Sequence, residues 1–142
     1  MKCMIFSIVL LLNKENKVLF LHRSSTNSMP GHYGLVGGKV EEGEKPREAL
    51  IREVYEEVGV TLRQEDLIFK NVYYGTTTIG QCNCIVFTYE ARSWHGTPEN
   101  KEPEKHASMD WWSLEALPEP LLRIHQPIIQ AYKKGIPYLE EQ

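Results

Sequence analysis

The chain has 142 residues, 42% hydrophobic and 25% charged, with 16 basic and 19 acidic side chains and a net charge of −3. That length suits one domain around one core, residues 1–142, and the lack of a basic excess argues against a nucleic-acid polymer as partner. The apolar start, Met1 to Leu12, carries Lys2 and is too short to span a bilayer, so no membrane partner is expected.

In chain order, residues 3 to 12 read as a buried first strand rather than a signal segment, because Val18 to His22 follows a polar turn as a natural hairpin partner. Arg23 ends that strand, and Ser24 to Gly31 is a loop rich in Ser, Asn, Pro and Gly. Gly34 to Gly37 forms a short strand leading to Gly38, a loop runs from Lys39 to Gly43, and a helix is expected from about Lys45 to Val58. Pro46 suits its first turn and Gly59 its end.

After a polar connection, Thr61 to Asp66, Leu67 to Thr78 and Gln81 to Arg92 read as a second hairpin turning at Ile79-Gly80. Trp94 to His106 is a loop, Met109 to Trp112 a short strand, and Ser113 a cap for a turn at Leu114 to Leu117. Pro120 to Lys134 reads as a closing helix that Pro127 either kinks or restarts, with Gly135 as its stop and a loosely held tail beyond. Cys3, Cys82 and Cys84 are odd in number. Cys82-Asn83-Cys84 is too tight for a zinc knuckle and lacks a second pair, so all three are expected to be reduced, as in a cytoplasmic protein.

The helix at 45–58 carries the chemistry. Leu50, Ile51, Val54, Tyr55 and Val58 form its apolar stripe, and Glu53, Glu56 and Glu57 are placed opposite at i, i+3 and i+4. Like charges so spaced repel. Arg52 reaches Glu56 but does not offset three carboxylates, whereas a divalent cation would, and oxygen ligands alone suit Mg²⁺ or Mn²⁺.

The spacing Gly38, five residues, Glu44, seven residues, then Arg52-Glu53-Val54, Glu56-Glu57 and Gly59-Val60 resembles the Nudix box, with every fixed position filled. Pro98 to His106, Asp110-Trp111-Trp112 and Leu117 to Leu121 look like the C-terminal half of MutT-like nucleotide diphosphatases. Val36 departs from the proline that commonly precedes the paired glycines. The resemblance implies a Nudix-type α/β/α sandwich with a mixed sheet and the box helix against it. It further implies Mg²⁺- or Mn²⁺-dependent hydrolysis of a nucleoside triphosphate, oxidised guanine nucleotides included, to monophosphate and pyrophosphate. It is compatible with a homodimer.

Carried over residue by residue, metal ligands fall at the Gly38 carbonyl, Glu53, Glu56 and Glu57. Arg52 would orient a glutamate, and Glu44 either takes an outer metal or favours the helix N-terminus. Glu53 or Glu56 would accept the water's proton, with Glu102 and Glu104 as candidates outside the box. Arg23 and Lys39 flank the site as phosphate ligands. Of Tyr33, Tyr73, Tyr74, Trp94, Trp111 and Trp112, one or two would stack on a base, Tyr33 foremost; no histidine has ligand spacing, though His32 stands beside Tyr33. Two other readings remain open: cleavage of another nucleoside diphosphate-linked compound (ADP-ribose, a nucleotide sugar, NADH or a dinucleoside polyphosphate), or a binding-only module on the same fold.

Overall fold

In the computed structural model, which describes residues 2–77 and 82–142, the middle strands are buried on both faces, and alternation along them builds two cores. Val9 and Leu11 of β1 (Cys3–Leu11), Leu19 and Leu21 of β2 (Lys17–Arg23) and Val36 of β3 (Tyr33–Lys39) meet Leu50, Val54 and Val58 of α1 (Pro46–Val58). Ile8, Leu10, Phe20 and Leu35 go to the other face and meet Ile128 and Ile129 of α2 (His125–Lys134). β4 (Ile68–Thr76), β5 (Asn83–Ala91), β6 (His106–Ser113) and β7 (Tyr138–Glu140) complete a seven-stranded sheet in the order β6-β2-β3-β1-β5-β4-β7. β1–β5 and β4–β7 are parallel and the other pairs antiparallel. This is the expected α/β/α sandwich with a mixed sheet. No helix among the described residues is long and apolar enough to cross a membrane.

Ile128→Ala in one core and Leu50→Ala in the other are each expected to cost about 2–5 kcal/mol in urea denaturation, because both side chains are fully buried.

Four local expectations are revised. The hairpin of β1 and β2 does not form: β3 lies between them, and only a Leu12–Val18 bridge joins the two. Tyr55 leaves the stripe, 61% exposed, while Glu57 is only 9% exposed. The helix geometry explains the exchange, since Glu57 follows Leu50 by seven residues and lies about 20° from it around the axis. The closing helix starts at His125 rather than Pro120, because residues 120–122 spend backbone bonds on Tyr33: Tyr33 N–H donates to Pro120 O and Leu122 N–H to Tyr33 O, each at 2.8 Å. Pro127 therefore sits in the first turn of α2. The tail is held, with β7 paired to β4 and Glu141 accepting from Tyr73 Oη, Thr76 N–H and Arg123 Nη1. The turn expected at Ile79-Gly80 lies outside the described residues.

Candidate active site

Two glycines let α1 approach the sheet at β3. Gly37 N–H donates to Glu57 Oε1 at 2.9 Å, and a side chain on Gly38 would run into the Glu53 carboxyl group. Ser7 Oγ donates to Pro46 O at 2.7 Å, anchoring the helix start to β1, and Lys45 N–H donates to Glu48 Oε1. At the other end Gly59 turns the chain at φ +74°. There the loop before β6 supplies donors for the open carbonyls: Lys101 N–H to Glu57 O and Glu99 N–H to Val58 O. That docking carries Glu102 to the site.

Arg52 gathers the half-buried Glu44 and Glu53 and the exposed Glu56. Its Nε donates to Glu44 Oε2 (2.8 Å), its Nη1 to Glu53 Oε1 (2.8 Å) and Glu56 Oε1 (3.0 Å), and its Nη2 to Glu44 Oε1 and Lys39 O. The arginine's hydrogen bonds hold Glu44 down to about 2. Burial, opposed by Arg52, raises Glu53 above the usual carboxylate range. Glu57 makes no hydrogen bond to an arginine among the described residues, though Arg23 stands near enough to feel its charge. Burial first, then the nearby Glu53 and Glu102, push it up to about 8 against the pull of the Gly37 N–H. Arg52→Lys removes the fork that spans three carboxylates while keeping the charge. It is expected to lower kcat by about 10²-fold with the circular-dichroism spectrum unchanged.

A cavity of about 470 Å³ opens beside these groups. Arg23, Glu57, His106, Gly37 and Gly38 line one part, and Met4, Phe6, Leu35, Val86 and Ile124 give it apolar walls. Arg23 donates through Nε to Ser28 O and through Nη2 to Asn27 and Ser28 side chains, which ties down the 24–31 loop; its Nη1 makes no hydrogen bond among the described residues. His125 is buried on the cavity wall and accepts the Leu35 N–H at Nδ1 (3.1 Å), so its proton is on Nε2, a fixed donor.

Burial lowers the His125 pKa to about 4. The unfolded chain thus binds a proton near pH 6.5 that the folded chain refuses until about pH 4, so stability is full above that window and falls as pH drops through it. Wild type is expected to lose about 2 kcal/mol more than His125→Gln between pH 7 and pH 5 in urea denaturation.

The fold brings together Gly38, Glu53, Glu56, Glu57, Arg52 and Arg23, and draws Glu102 to Glu57. It leaves other candidates out. Lys39 is exposed and off the cavity, contributing its backbone carbonyl to Arg52. Tyr33 does not line the cavity: its ring stacks on His22 at 4.2 Å and meets the edge of Trp112. Trp94 and Trp111 stack on each other in the α1 core, and Tyr73 is buried in the other core. Phe6, in the first strand, is the aromatic ring on the wall. His32 is exposed. His106, Arg123 and His125 line the cavity without any local signal in the sequence, because each is brought there by long-range pairing.

The donor set fits a divalent cation. Arg52 does not reach Glu57 or Glu102; Glu102 pairs with Lys105 Nζ at 3.3 Å, and oxygens of the two carboxylates lie with a nitrogen of the buried His106 within 4.8 Å of one another.

The NUDIX domain family matches residues 1–132 of the chain. An 8-oxo-dGTP diphosphatase of Escherichia coli (strain K12) is 27% identical over 135 residues, covering 94% of this chain and 99% of that protein. A CTP pyrophosphohydrolase of the same strain is 28% identical over 130 residues, covering 91% of each. The crystal structure of a MutT NUDIX hydrolase from Burkholderia pseudomallei superposes with a TM-score of 0.81 at 24% identity, over 92% of this chain and 98% of that one.

Proposed function

The chain belongs to the Nudix family and resembles its MutT-like members, and from that premise we propose that it hydrolyses a nucleoside triphosphate to the monophosphate and pyrophosphate with Mg²⁺ or Mn²⁺. The observation that supports this most is one cavity lined by Glu57, Gly38 and Arg23 and by apolar side chains, of a size that takes a nucleotide, with the other box glutamates gathered beside it by Arg52. The phosphates lie at Arg23 and the glutamates; the base lies against Met4, Phe6 and Leu35, with His125 as hydrogen-bond donor.

When bound, the metal neutralises phosphate oxygens and makes water a better nucleophile. Glu53, Glu56, Glu57, Glu102 and the Gly38 carbonyl are the groups that would hold it. Arg52 keeps Glu53 and Glu56 in one geometry, and the Gly37 N–H fixes Glu57. Glu53, made more basic by burial, takes the proton of the attacking water. Arg23, already braced by the 24–31 loop, binds a phosphate oxygen with little further ordering.

The test is a turnover screen of nucleoside triphosphates, ADP-ribose, nucleotide sugars, NADH and dinucleoside polyphosphates with Mg²⁺ or Mn²⁺, with products separated. Monophosphate and pyrophosphate from a triphosphate support the reading. A sugar phosphate as main product, or tight nucleotide binding with no turnover under any divalent ion, overturns it.

A further inference from the structure

The ligands expected from the sequence were all oxygens, yet the fold adds an imidazole. His106 is only 4% exposed. Its Nδ1 is buried with no hydrogen-bond partner among the described residues, and its Nε2 stands 3.9 Å from Glu57 Oε2, too far for a hydrogen bond. Neither nitrogen is hydrogen-bonded among the described residues, and Nε2, on the cavity side facing Glu57, is the one open to a ligand. Oxygens of Glu57 and Glu102 lie with a ring nitrogen within 4.8 Å of one another, an arrangement a cation bound at Nε2 would join, with only Lys105 Nζ, 3.3 Å from Glu102, as cationic partner to that carboxylate among the described residues.

The backbone holds this group together without any ion. His106 N–H donates to Glu102 O at 2.9 Å, and Asn100 Nδ2 donates to His106 O at 2.7 Å while Asn100 Oδ1 accepts from Glu102 N–H.

We propose that His106 is a nitrogen ligand to the divalent metal, beside Glu57 and Glu102, and that it tilts the site from Mg²⁺ toward Mn²⁺ or Co²⁺. Mn²⁺, though mainly an oxygen-binding ion, accepts an imidazole nitrogen more readily than Mg²⁺, which demands oxygen, and Co²⁺ binds nitrogen more strongly still. The inference rests on the diphosphatase reading only in placing a metal at this part of the cavity.

The experiment is calorimetric titration of the full chain with MnCl₂ and with MgCl₂, without nucleotide, for wild type, His106→Gln and His106→Asn. Pulsed electron paramagnetic resonance of the Mn²⁺-loaded protein accompanies it. Wild type is expected to bind Mn²⁺ at least about tenfold more tightly than Mg²⁺ and to show hyperfine coupling to a bound nitrogen. The folded variants should lose about tenfold in Mn²⁺ affinity, less than about threefold in Mg²⁺ affinity, and the nitrogen coupling. Absence of the coupling in wild type, its persistence in a variant, or equal losses for both ions overturns the assignment. Wild-type spectra remain decisive if neither variant folds. The binding readouts need no turnover, so a chain that shows the coupling but cleaves no triphosphate fails the functional reading and not this one.

Discussion

Glu57→Gln is expected to lower kcat by about 10³-fold while making the metal-free protein more stable at pH 7.5. The glutamine oxygen can still accept the Gly37 N–H, so the local geometry survives. What is lost is a charge that would bind metal, worth several kcal/mol in the transition state. What is gained follows from linkage. The folded chain holds the Glu57 proton up to about pH 8, whereas an unfolded glutamate releases it near 4.5. Between those values the folded state binds more protons, so stability falls as pH rises through that window. Relief of that penalty is on the order of a few kcal/mol. Urea denaturation of both proteins in chelator at pH 5 and 7.5, alongside kcat with Mg²⁺, checks the pair of effects. A variant that keeps wild-type turnover, or that unfolds more easily without metal, removes Glu57 from the metal-binding set.

The paired glycines are expected to fail in opposite ways. Gly37 has φ +149°, and a Cβ there would overlap Ser7 O and lie 2.7 Å from Ile8 Cα. Both obstacles are backbone, in the strand paired with Gly37, so Gly37→Ala must part β1 from β3 and should cost about 3–5 kcal/mol. At Gly38 the obstacle is the end of the Glu53 side chain, which can swing away. Gly38→Ala should therefore fold with stability within about 1 kcal/mol of wild type yet lose about 10²-fold in kcat, because Glu53 leaves Arg52 and the metal-binding group. Thermal unfolding and steady-state kinetics of both variants decide this. Equal stability loss at the two positions would mean that Gly38 serves the fold and not the site.

How much of this was legible in advance depended on distance along the chain. α1 could be read because its stop, its first-turn proline and its apolar positions all lie within one short segment. The side of α1 that Glu57 faces could not be read by charge: it was placed opposite the apolar stripe with Glu53 and Glu56, yet the side-chain-free surface at Gly37 and Gly38 made a buried place for it. The β1–β2 hairpin looked natural because short loops close cheaply, but inserting β3 gave both strands a buried neighbour. Tyr33 was the base-stacking candidate nearest the box in sequence, and the sheet spent it on His22 and Trp112.

The amino-acid sequence alone determined the family, the sandwich and the acidic helix with its arginine, since local spacing and two-sided burial of strands are properties of contiguous residues. Only the tertiary structure decided which outlying candidates surround that helix, Glu102 from the loop docked on its end and Arg23 from β2 but not Lys39 or Tyr33, and it alone added His106 and His125. Those residues meet through strand pairing and loop docking across dozens of positions, and no periodicity within one segment encodes such a meeting.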